Sequence, residues 1–80
     1  MELQVIMFGI ARDIVGDSKL KLELDEGASV GALKKHLIDG YPEMGRLKSI
    51  SFAVNTEYVD DNYQLSDKEE IIIIPPVSGG

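Results

Sequence analysis

Few side chains in this sequence can do chemistry, and the shortage narrows the possible functions. There is no cysteine, which removes thiol catalysis, Cys-based zinc sites and iron–sulfur ligation. The single histidine, His36, leaves no Ser-His-Asp arrangement to assemble from repeated candidates, and it reads as a surface residue beside an apolar stripe. Asp60-Asp61-Asn62 superficially suggests a cation loop, but the spaced ligands and the glycine of an EF-hand are missing. It reads as a solvated turn. What remains is the C-terminal run Pro75-Pro76-Val77-Ser78-Gly79-Gly80.

That run reads as an arm with almost no side chains, ending in a carboxylate on Gly80. From Pro76 outward it spans at most ~3.3–3.6 Å per residue, on the order of 17 Å in all. A Gly-Gly end arises by chance in roughly one chain in two hundred, so coincidence is the weaker explanation. Glycine has a steric use here: a group acting on a main-chain carboxylate must come close to it, and Cβ atoms would obstruct a narrow channel. Pro75 and Pro76 favour an extended exit and reduce the disorder lost on docking. The chemistry to be tested is therefore that of the Gly80 carboxylate, presented inside another protein's cleft.

The rest of the chain must hold and aim this arm. Glu2 to Gly9 reads as a strand, with Leu3, Val5 and Met7 on one face and Gln4, Ile6 and Phe8 on the other. Ile6 and Phe8 are either covered by another part of the fold or form an exposed binding patch. Ala11 to Val15 suggests a short helical turn stopped by Gly16, with Arg12 and Asp13 solvated or locally paired. Residues 18–24 alternate Leu20, Leu22 and Leu24 against Lys19, Lys21 and Glu23, the mark of a half-exposed antiparallel strand hairpinned with the first.

After the turn residues Asp25-Glu26-Gly27, Ser29 is the expected N-cap of a helix running to about Asp39. Its stripe is Val30, Leu33 and Leu37, widened by Ile38. Lys34, Lys35 and His36 sit in its later turns, where cations suit the helix dipole. Gly40 is expected at the C′ position, with Pro42 beyond it. Tyr41 to Ser49 reads as a connector. Ile50 to Asn55 gives a third strand, Asn55-Thr56-Glu57 a turn, and Tyr58-Val59 a short extension. Tyr63 to Lys68 returns through Leu65 to a final strand, Glu69 to Ile74, whose four isoleucines favour extended backbone. Pro75 and Pro76 stop it, since neither can donate to a ladder.

The order is strand, strand, helix, strand, short strand, strand: an α+β domain with a mixed sheet and one main helix across a single face. We divide the chain into a domain over 1-74 and an extended arm over 75-80. The uncovered sheet face leaves apolar residues for a partner, with Phe8, Tyr58 and Ile74 the leading candidates. Eighty residues make one small domain with a modest core. A net charge of −6 argues against nucleic acid or an anionic membrane as partner. No apolar run approaches the ~20 residues that span a bilayer, and the N-terminus has no basic region leading into an apolar segment. The expectation is a soluble, unexported, cytoplasmic protein.

The ending Pro-Pro-Val-Ser-Gly-Gly after an acidic-apolar strand resembles the small-subunit family of molybdopterin synthase. Phe8 with Ala11-Arg12-Asp13 and Gly16, the Val30/Leu33/Leu37 helix, Tyr41-Pro42 and Ala53-Val54-Asn55 extend the resemblance over essentially the whole chain. The tail is its specific part, and the internal matches are individually weak. One departure is Lys68, where the family commonly has glycine before an acidic pair; Glu69-Glu70 keep the acidic character.

The resemblance implies a β-grasp, ubiquitin-like fold and a sulfur-carrier mechanism. A ubiquitin-activating-like adenylyltransferase would use ATP and Mg²⁺ to adenylate the Gly80 carboxylate. A sulfur donor system would then replace AMP to give a thiocarboxylate. The arm (Pro75, Pro76, Val77, Ser78, Gly79 and Gly80) would enter the large synthase subunit, in a heterotetramer, and deliver sulfur to a pterin precursor to build a dithiolene. The chain would be a sulfur-donating subunit with no bound cofactor, the active site lying mainly in its partner. Phe8, Tyr58 and Ile74 match the family's apolar contact surface. Three rivals remain: a sulfur carrier for thiamine or tRNA thiolation, a ubiquitin-like modifier joined through Gly80 to lysines, and an interaction domain with an inert tail.

Overall fold

A computed structural model describes residues 1–46 and 50–74. Five strands form one mixed sheet: β1 (Glu2–Met7), β2 (Lys19–Glu23), β3 (Ser51–Val54), β4 (Glu57–Val59) and β5 (Glu70–Ile74), in the order β2-β1-β5-β3-β4. The central pair, β1 and β5, is parallel, and the other pairings are antiparallel. Two helices, α1 (Gly9–Val15) and α2 (Val30–Gly40), and a 3-10 turn at Pro42–Arg46 complete the described elements. This is the expected α+β sheet-and-helix arrangement.

Alternation places the core. Leu3, Val5 and Met7 of β1 are fully buried, as are Ile71 and Ile73 of β5. They meet Val30, Leu33 and Leu37 of α2, together with Phe52, Val54, Met44 and Leu65, in one cluster. Leu20, Leu22 and Leu24 are half-buried against its edge. Each buried aliphatic side chain contributes about 1.5–3 kcal/mol relative to exposure. Met44, in the 3-10 turn of what reads from sequence as a plain connector, is a core residue.

Several element ends differ from the sequence expectation. β1 stops at Met7 because Phe8 becomes the N-cap of α1 and Gly9 turns into the left-handed region at φ 57°. α1 starts at Gly9 rather than Ala11 and closes, as expected, on Gly16, at φ 87°, whose N–H donates to the Arg12 carbonyl at 2.7 Å. Gly40 is not a left-handed stop; it is the last helical residue, and Tyr41 caps α2 at φ −134° with its N–H on the Leu37 carbonyl. Pro42 explains this, because a residue before proline is pushed out of the helical region. β5 begins at Glu70 rather than Glu69.

Ser29 caps α2 as expected, its Oγ accepting the Ala32 N–H at 3.2 Å. The turn expected at Asn55-Thr56-Glu57 is one residue shorter: Asn55 and Thr56, both at positive φ, make a two-residue turn, and Glu57 opens β4 opposite Val54, the geometry that suits a twisted hairpin. Lys68 sits at φ 63°, so the position where the resembled family commonly has glycine is a left-handed one, here occupied by lysine.

The loop between β4 and β5 is fastened by polar contacts. Carbonyls of Tyr63 and Asp61 accept the Val30 and Gly31 N–H groups at 2.9 and 3.0 Å, satisfying donors that the first turn of α2 leaves unpaired. A Cβ on Gly31 would come within 3.3 Å of the Asp61 carbonyl, so the close approach suits glycine. The Glu69 carboxylate accepts the Tyr63 hydroxyl at 3.0 Å and the Ser66 N–H at 2.9 Å.

Candidate functional site

Pairing register assembles the candidate surface from the four strands β1, β5, β3 and β4. Ile6 lies beside Ile72, Ile72 beside Ala53, and Ala53 beside Tyr58. Side chains alternate along each strand, so this row lies on the face opposite the α2-packed core. Two residues along β5, Ile74 pairs with Ser51, and Phe8, extended just beyond β1 at φ −128° and ψ 161°, continues the alternation of Gln4 and Ile6. The opposite end of the face is polar: Lys21 lies beside Gln4, and Gln4 beside Glu70. The face therefore changes from charged to apolar in the direction in which β5 runs.

Exposure follows the same division. Phe8 is 54% exposed and Tyr58 71%, while Ile6, Ile72 and Ile74 are half-buried and absent from the core cluster. Two of the three expected contact residues are thus large exposed hydrophobics, and the third is partly accessible at the last position of β5. Register brings Tyr58 and Ile74 to one face, and the alternation of β1 carried on to Phe8 adds the third. An open groove of about 440 Å³ is lined by Ile50, Ser51, Phe52 and Tyr58–Asn62. The remaining expected site residues, Pro75, Pro76, Val77, Ser78, Gly79 and Gly80, lie outside the described residues.

Ile10, 48% exposed, is a large surface hydrophobic that the sequence reading passed over. It lines a second groove with Asp13, Ile14, Glu43 and Arg46. Its signal was the Phe8-Gly9-Ile10 triplet, where a glycine kink separates two apolar side chains from the alternation of β1.

Alternative chemistry does not assemble. His36 is exposed on α2. Asp60 Oδ1 accepts the Asn62 N–H at 2.9 Å, and the Asp60 carbonyl accepts the Tyr63 N–H at 3.1 Å, so the acidic run is a hydrogen-bonded turn. Among the described residues no group of three His, Cys, Asp or Glu is placed to hold a metal ion. Nor is any helix among them long and apolar enough to cross a membrane.

A five-stranded mixed sheet carrying its main helix on one face, with a parallel central pair, makes this a ubiquitin-like β-grasp domain. By sequence, residues 5–80 match the ThiS family model, and the chain belongs to the ThiS family. It is 36% identical over 83 aligned residues to the molybdopterin synthase sulfur carrier subunit of Chlamydomonas reinhardtii, with both chains covered completely. The solution structure of the small archaeal modifier protein 1 from Methanosarcina acetivorans superposes with a TM-score of 0.79 at 28% identity, covering 99% of this chain and 96% of that one. A subunit from the complex of subunits 1 and 2 of the molybdopterin-converting factor of Helicobacter pylori matches in fold, with a TM-score of 0.69 at 23% identity over the whole of both chains.

Proposed function

We propose that this chain is the sulfur-carrier subunit of a molybdopterin synthase. Its reactive group is the carboxylate of Gly80, which a ubiquitin-activating-like adenylyltransferase converts with ATP and Mg²⁺ to an acyl-adenylate, releasing pyrophosphate. A carboxylate is a poor electrophile, and the adenylate supplies a good leaving group. Sulfur from a donor system displaces AMP to leave a thiocarboxylate. The large synthase subunit then takes up the arm, and the sulfur passes to a pterin precursor held there. Two such donations form a dithiolene. Phe8, Tyr58 and Ile74 bind the large subunit, and residues 75–80 reach into its active site.

The observation that carries this reading is the gradient on the open sheet face. Its apolar end coincides with the last residue of β5, so a protein docked on Phe8, Ile72, Ile74 and Tyr58 receives the following residues directly. The names of the curated relatives and the two-subunit complex of the Helicobacter neighbour support the choice of partner. A second reading, a protein modifier joined through Gly80 to lysine, draws support from the Methanosarcina neighbour.

Intact mass spectrometry of the protein from cells running the pathway separates them. The carrier reading expects a fraction with one oxygen replaced by sulfur, lost on deletion of Gly80 while the domain stays folded. Lysine-linked adducts in a digest would instead favour the modifier. Continued molybdopterin synthesis with the truncated chain would overturn the carrier reading.

A further inference from the structure

The open edge of β2 carries a second recognition feature, independent of the arm and the apolar face. Among the described residues β2 is an edge strand, paired only with β1. Leu24 exchanges hydrogen bonds with Met1, its N–H donating at 3.0 Å and its carbonyl accepting the N-terminal amine at 2.7 Å. The Ser18 carbonyl accepts the Met7 N–H at 2.9 Å. Even-numbered residues of this stretch thus bond inward, and the backbone groups of Lys19, Lys21 and Glu23 point outward. The Lys19 N–H is held by Asp17 Oδ1 at 3.3 Å, which leaves both groups of Lys21 and of Glu23 for a new strand.

An exposed edge is a template for strand addition, and the charges on this one specify the strand. In an antiparallel pairing, outward-bonding residues oppose outward-bonding residues, so only alternate registers are open to two copies of β2. Centred on Lys21, the pairing sets lysine on lysine between two Lys19–Glu23 pairs; centred on Glu23, it sets glutamate on glutamate between two Lys21–Asp25 pairs, so each rival register carries a like-charge pair at its middle. Centred on Leu22, it places Lys21 opposite Glu23 twice and brings Lys19 toward Asp25 twice, while Leu20 meets Leu24 and Leu22 meets itself. Opposite charges directly across a pair stabilise it and like charges destabilise it. Two like charges also face each other within the chain: Glu23 lies directly across from Glu2, and both are exposed. A partner's Lys21 would sit beside that pair.

We propose that β2 is a homodimerisation edge, joining two copies antiparallel about Leu22 into a continuous ten-stranded sheet. Four backbone hydrogen bonds form, two between Lys21 and the partner's Glu23 and two between Glu23 and the partner's Lys21. The half-buried leucines meet on the core side. The two-fold axis is perpendicular to the sheet, so both apolar faces lie on one side and remain free. A single short edge lies at the low end of interface sizes, so the dimer is weak and depends on concentration.

Hydrogen exchange read by NMR across a concentration series tests this. The amides of Lys21 and Glu23 should exchange roughly tenfold more slowly once about nine chains in ten are paired, since exchange then runs through the unpaired tenth. Leu20 and Leu22, bonded to β1, should be protected at every concentration. Lys21→Glu and Glu23→Lys should each return the protein to a monomer by sedimentation equilibrium with its melting temperature kept, and the double charge swap should restore the dimer. Self-association that survives both single reversals, a double swap that stays monomeric, or amides of Lys21 and Glu23 that exchange alike at all concentrations would each overturn the proposal.

Discussion

Val5 and Ile6 are chain neighbours with similar side chains, yet they serve opposite ends. Val5 is fully buried in the cluster that α2 completes. Ile6 points the other way, half-exposed in a row with Ile72, Ala53 and Tyr58. The same contrast separates Ile73 from Ile74 in β5. In a small domain with one main helix, only one sheet face can be sealed internally. Apolar residues kept on the other face add little to the folding of the isolated chain and are available to a second protein. The inner face therefore sets stability and the outer face sets association, and substitutions should separate the two.

The largest effect on folding is expected inside. Ile73→Ala removes a fully buried side chain and should cost about 2–5 kcal/mol of folding free energy. That is a large part of the ~5–15 kcal/mol a domain holds. Each kcal/mol lowers the melting temperature of a domain this size by about 4–8 °C. Calorimetry of the purified chain measures it, and a loss below about 1 kcal/mol would mean the inner face is not the core.

On the outer face the order reverses. Phe8→Asp places a charge on a side chain that is already 54% exposed, so the melting temperature should hardly move. Affinity for the large synthase subunit should fall by about a hundredfold, the scale expected when an aromatic anchor is removed from the centre of an interface. Isothermal titration against the large subunit, paired with a thermal melt, checks both halves. Unfolding of the variant would make Phe8 a core residue; unchanged affinity would move the docking surface elsewhere.

How much of this was legible in the sequence depended on whether the signal was periodic. The two-residue alternation of β1 and β2 and the three-four spacing of Val30, Leu33 and Leu37 placed the core face correctly, because burial acts on every repeat. Ser29 as N-cap and Gly16 as terminator were equally readable, since each has one steric or hydrogen-bonding reason to be there. Met44 was not readable: it enters the core from a single 3-10 turn, and one methionine among polar residues has no period. Gly40 misled because the helix stop belongs to Pro42 acting through Tyr41. The outer face was open between two readings at Ile6 and Phe8, and pairing register, which aligns Ile6 with Ile72, Ala53 and Tyr58, is what joins the strands into one surface. The reverse holds for residues 75–80, which lie outside the described residues and whose proposed chemistry rests on residue types and the family resemblance.

The smallest expected effect concerns the polar fastening of the loop that leads into β5. The Tyr63 hydroxyl donates to Glu69 Oε2 at 3.0 Å, and that bond, with desolvation and the negative charges of Glu69 and Glu57, raises the phenol above its usual 10.0. In the unfolded chain the phenol ionises at its ordinary value, while in the folded chain it holds its proton longer. The folded state is therefore penalised only as pH climbs past 10.0: the contribution is intact below that value and is lost above it. Phenolate absorbance should locate a late-titrating tyrosine, and Glu69→Gln should bring it down by removing the charge that opposes ionisation. The apolar face lies at the other end of the sheet, so binding to the large subunit should be unchanged by Glu69→Gln. Affinity that fell along with the shift would show that the two ends of the face are coupled through β5, and the separation drawn between stability and association would then need to include the loop.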